Sequence, residues 1–72
     1  MIFNKSIEID LNNLPSLLRK EYNRLLDFYD KGDEDLFSIH EEVFEACVKQ
    51  NYIDGKISKQ QQEKLFNVIG LY

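Results

Sequence analysis

The stretch DKGDEDLFSIHEEVFEACV, residues 30–48, holds the only histidine of the chain, His40, its only cysteine, Cys47, and more than half of its acid. Whether this stretch is one continuous helix decides both the fold and the chemistry open to the protein. Gly32 suits the left-handed position that ends a helix, and Asp33 is a good N-cap for the next one. Glu34 and Asp35 then stand in a first turn where the helix dipole favours negative charge. At about 100° per residue, Leu36, Phe37, Val43, Phe44, Cys47 and Val48 fall on one arc, which predicts a helix over residues 34–51.

With Leu36 placed at 0°, Cys47 lies at about 20° and His40 at about 40°, inside an apolar arc running from about 280° to about 120°. Glu34, Ser38, Glu41, Glu45 and Lys49 occupy the opposite arc, with Asp35 and Glu42 at its border. The expectation is therefore that imidazole and thiol face inward and carboxylates outward. His40 then requires a polar partner, because a buried imidazole without one is costly. A hairpin turning near Gly32 places Glu21, Tyr22 and Tyr29 within its reach.

That helix speaks against chemistry. His40 and Cys47 are seven residues apart, about 10.5 Å along the axis, too far to share one metal ion. His40 is followed by EEVF, which is not the pattern of a zinc protease, and Phe37 stands where a di-iron motif needs Glu. Nucleophilic catalysis needs nucleophile and base within hydrogen-bond reach, but Ser38 lies on another face from His40 and Cys47 lies two turns away. DGKIS, residues 54–58, resembles the second half of a calcium loop, but only Asp54 supplies a carboxylate and the bidentate Glu is replaced by Gln61. No catalytic residue, metal site or cofactor is predicted, and the chain is not expected to be an enzyme.

Working outward, NNLPSLLRKEYNRLLDFYDKG, residues 12–32, offers an Asn cap, a proline for the first turn and a terminal glycine. Leu14, Leu17, Leu18, Tyr22, Leu25, Leu26, Phe28 and Tyr29 share one broad face, predicting a helix over 14–31. Before it, SIEIDL, residues 6–11, alternates polar and apolar like a half-buried strand, so residues 1–12 are expected to form an extended arm needing a mate. That mate is open: the neighbourhood of Ile57, the same arm of a second subunit, or another protein. After the middle helix, YIDGKIS is turn chemistry, Ser58 with Gln61 forms a capping box, and Gly70 closes a short helix over 59–69. Its stripe is Leu65, Phe66 and Ile69, with Val68 at the edge. One small all-α domain follows: a helical hairpin closed by a short third helix, a three-helix bundle with an N-terminal arm.

At 72 residues, 43% hydrophobic and 31% charged, the chain is apolar enough to fold but short for a single core, which favours self-association or a partner. The formal net charge is −4, which disfavours nucleic acid and anionic membrane as partners. A single cysteine forms no internal disulfide, and no apolar run approaches a membrane span or a signal peptide, so a cytoplasmic location is expected.

Acid is unevenly spread: residues 27–45 carry eight carboxylates against one lysine, whereas both flanking segments are net positive. Glu41 and Glu45, like charges at i, i+4, repel by roughly 0.2–0.5 kcal/mol. The leading expectation is a non-catalytic binding protein of the inhibitor, antitoxin or immunity kind, docking Glu34, Asp35, Glu41, Glu42 and Glu45 on a basic protein such as a nuclease or another nucleic-acid-handling enzyme. Alternatives are a helix-turn-helix regulator using Lys56, Lys59 and Lys64, whose turn is long and whose charge is wrong, and a homodimeric assembly or adaptor module.

Overall fold

The computed structural model describes residues 1–71, which are folded as a small all-α three-helix bundle without strands. Helix α1 spans Ser16–Lys31, α2 spans Glu34–Ile53 and α3 spans Lys59–Val68. A single turn of 3-10 helix, Leu11–Asn13, precedes α1 and is capped by the Asp10 side chain, which accepts from the Asn12 amide.

Helix α1 starts two residues later than its apolar pattern suggests. Leu14 sits before Pro15 and is extended, with φ −91° and ψ 147°, because the proline ring excludes helical backbone from the residue it follows. Pro15 itself takes the cap position without a side-chain cap, and the asparagines belong to the preceding turn. Gly32, at φ 72°, ends α1 by donating to the Phe28 and Tyr29 carbonyls. Asp33 caps α2 by accepting from the Leu36 amide. Helix α2 runs two residues beyond its predicted end, and the Ser58–Gln61 capping box of α3 is present in both directions.

Helices α1 and α2 pack as an antiparallel hairpin, and α3 rests mainly on α2. The largest fully buried side chains are Phe37, Phe44, Leu18, Leu25, Leu65, Val48 and Val68. On one side of the hairpin the aromatics form a chain of contacts: Tyr22 with Phe44 and Tyr29 with Phe37, both at 6.3 Å between ring centres. The N-terminal arm closes that side. Phe3 inserts its ring 5.3 Å from Tyr22 and 5.8 Å from Tyr29, and the Asn4 amide donates to the Val68 carbonyl at 2.8 Å.

The arm is thus not a strand. Its alternation is obeyed, since Ile7, Ile9 and Leu11 pack against the core, but the arm pairs with the end of a helix and needs only one backbone bond to do so. Val68, expected at an edge, is fully buried for the same reason. Ile2 lies over Gly70, whose φ of 77° favours glycine, and a Cβ there would stand 3.0 Å from the Ile2 side chain.

Candidate functional site

Helix α2 is rotated relative to its apolar arc. The buried residues are Phe37, Phe44, Val48 and Asn51, so the inward direction is the one carrying the two phenylalanines and not the middle of the arc. An arc of about 200° is wider than the stripe of 100° or so that a surface helix ordinarily buries, and the bulkiest side chains take the interior. Two corrections follow. His40 and Cys47 are half-buried at the margin of the core. Leu36, Ile39 and Val43 are exposed, at 40%, 59% and 44%.

His40 keeps part of its expected environment. Its ring packs 5.1 Å from Phe28, and Nδ1 stands 3.7 Å from Glu21 Oε2, beyond hydrogen-bond length. The buried Glu21 carboxylate accepts from Arg24 through Oε1 at 3.3 Å. Among the described residues, Glu21 Oε2 and His40 Nδ1 have no hydrogen-bond partner. The imidazole faces a carboxylate, which favours the tautomer with a proton on Nδ1.

Burial, reinforced by the charge of Glu21, pushes the Cys47 thiol up, and the Asn51 amide at 3.4 Å only partly offsets this. The described residues contain no group of three side chains able to hold a metal ion. A cavity of about 210 Å³ between the arm and α3 is lined by Glu8, Ile9, Asp10, Asn13, Leu14, Gln61, Lys64 and Leu65.

The five acidic residues separate into two rows. Asp35 and Glu42, seven apart and both exposed, run along the outer border of the Leu36–Ile39–Val43 ridge. Glu34, Glu41 and Glu45 lie around the far side. There Glu41 is half-buried, and its carboxyl is raised above the usual range by burial, with Glu45 and Glu42 adding to the rise and the Met1 amino group opposing it. Glu45 accepts from Lys49 at 3.0 Å. The second row is therefore partly desolvated and partly neutralised, whereas the first stands beside exposed apolar surface.

Across the hairpin from this ridge, α1 presents Leu17, 61% exposed and also expected in the core. Leu17, Arg24 and Lys31 recur at seven-residue intervals, hence on one row. The bare side of the hairpin thus carries an apolar strip bordered by acid on α2 and by cations on α1. Sequence reasoning assigned its apolar members to the core. The width of the apolar arc was the available signal that some of them would remain outside.

Among the described residues no helix is long and apolar enough to cross a membrane. No protein-family model, curated protein or solved structure matches the chain.

Proposed function

We propose that this chain is a non-catalytic protein-binding module that docks through the exposed side of α2. The Leu36–Ile39–Val43 ridge supplies apolar contact, and Asp35 and Glu42 supply an acidic border that selects a counter-surface edged with cations. A basic groove of a nuclease or another nucleic-acid-handling enzyme has that character, which is the inhibitor or antitoxin form of the proposal. The observation that carries the reading is the exposure of three large aliphatic side chains on one helix face beside two unpaired carboxylates. Monomeric proteins of this size rarely leave such a strip uncovered.

Capture of interacting proteins on the immobilised chain tests it. A basic protein is expected to be retained by the native chain and by Glu41→Lys/Glu45→Lys, and lost with Ile39→Glu or Glu42→Lys. Retention by all variants would refute the assignment of the face. A salt-dependent shift of non-specific DNA by the isolated chain would favour the helix-turn-helix alternative instead.

A further inference from the structure

We infer that the surface fitted by the α2 ridge is present on this chain itself, so that the bare side of the hairpin joins a second copy around a two-fold axis parallel to the helices. The inference rests on the binding-module reading and names its partner.

The ring contacts Tyr22–Phe44 and Tyr29–Phe37 set which residues of the antiparallel pair stand at the same height. Two residues on from Tyr22 and two back from Phe44, Arg24 is level with Glu42. The same steps from Tyr29 and Phe37 bring Lys31 level with Asp35. A two-fold axis along the helices exchanges α1 for α2 and leaves every height unchanged. Arg24 therefore meets Glu42 of the second copy, Lys31 meets its Asp35, and symmetry makes each contact twice.

Between these borders the half-buried Phe28 of α1, level with Ser38, faces the Leu36–Ile39–Val43 ridge of the other copy, and the exposed Leu17 lies beyond the ridge. Four helices then pack with each one antiparallel to its neighbours, as in an up-down bundle.

Charge also excludes the other symmetric arrangement. An axis across the helices would set α2 on α2, bringing Asp35 and Glu42 against their own copies, which costs energy. The cations are partly committed within the chain, Arg24 to Glu21 at 3.3 Å and Lys31 to Asp27 at 2.9 Å. A guanidinium has five donors and an ammonium three, so each retains donors for a second acceptor.

Sedimentation velocity at about 1 to 100 μM, the weak end for protein interfaces, is expected to show the chain at twice its monomer mass. Asp35→Lys/Glu42→Lys alone, and Arg24→Glu/Lys31→Glu alone, are each expected to raise the dissociation constant at least about tenfold. An equimolar mixture of the two variants makes two pairs native and two with charges exchanged, all four attractive, and is expected to sediment as a dimer. Since Arg24 also holds Glu21, Lys31→Glu mixed with Asp35→Lys repeats the test should circular dichroism show that Arg24→Glu does not fold.

A native chain that stays monomeric overturns the inference, as does an acid-row variant that dimerises more tightly, the sign of α2 against α2. A monomer that still retains a basic protein through Ile39 refutes self-association alone. A monomer that retains none refutes the binding module as well.

Discussion

The two sides of the hairpin are both apolar, one aromatic and one aliphatic, and end in opposite states. On the covered side, Phe3, Tyr22, Tyr29, Phe37 and Phe44 touch one another, and the arm and the end of α3 share a backbone bond. On the bare side, Leu17, Leu36, Ile39 and Val43 remain in solvent above a buried carboxylate and an imidazole that do not reach each other. The difference is one of supply. The arm and the short α3 close a single side of the two long amphipathic helices. What remains uncovered is the apolar strip with its ordered charges that the binding proposal uses.

The sharpest way to break this comparison is to truncate one residue from each side of α2. Phe44→Ala is expected to cost about 3–5 kcal/mol in urea unfolding, because a fully buried ring leaves a cavity. Ile39→Ala, made at a concentration where the chain is monomeric, should stay within about 0.5 kcal/mol of the native chain. Similar losses at both positions would mean that the sides are not distinct.

Phe3→Ala asks whether the arm is truly part of the cover. Its ring is 5% exposed, so a loss near 3 kcal/mol is expected, the lower end for Phe→Ala. A loss below about 1 kcal/mol, the size of a typical surface effect, would detach the arm from the core.

Ser58→Ala weakens the other covering element at its start. Removing the reciprocal cap of α3 should cost about 1 kcal/mol, measured as a fall in urea midpoint at constant slope.

The smallest expected effect sharpens the border between the sides. The folded-state pKa of Glu41 lies above its ordinary 4.5. From that value up to the raised one, the folded chain still holds a proton that the unfolded chain has released. Stability therefore falls as pH rises through this window. Glu41→Gln should flatten the slope and, by removing the repulsion from Glu45, add roughly 0.2–0.5 kcal/mol at neutral pH. An unchanged profile would show that Glu41 is not desolvated by folding.

Much of the architecture was legible residue by residue. Gly32, Asp33, Ser58 and Gln61 mark helix ends because capping is a local reaction between a side chain and backbone a few residues away. The 3.6-residue period placed Phe37, Phe44 and Val48 together, and the hairpin register brought Glu21 to His40. The division of the acid into Asp35–Glu42 and Glu34–Glu41–Glu45 was visible on the helical wheel, but which of the two rows borders exposed apolar surface depends on the rotation of α2. Nothing within α2 states that Leu36, Ile39 and Val43 are spare, because each is apolar enough to have been core.

Local propensity and periodicity thus determined three helices, the glycine end of α1, the caps of α2 and α3 and an acidic middle segment. Tertiary packing alone decided the rotation of α2, the docking of the arm on α3 and which half of a wide apolar arc stays dry. The physical reason is that burial is a competition for a limited amount of covering chain. The two phenylalanines win it because their larger apolar area returns more free energy on leaving water than the aliphatic side chains of the opposite flank.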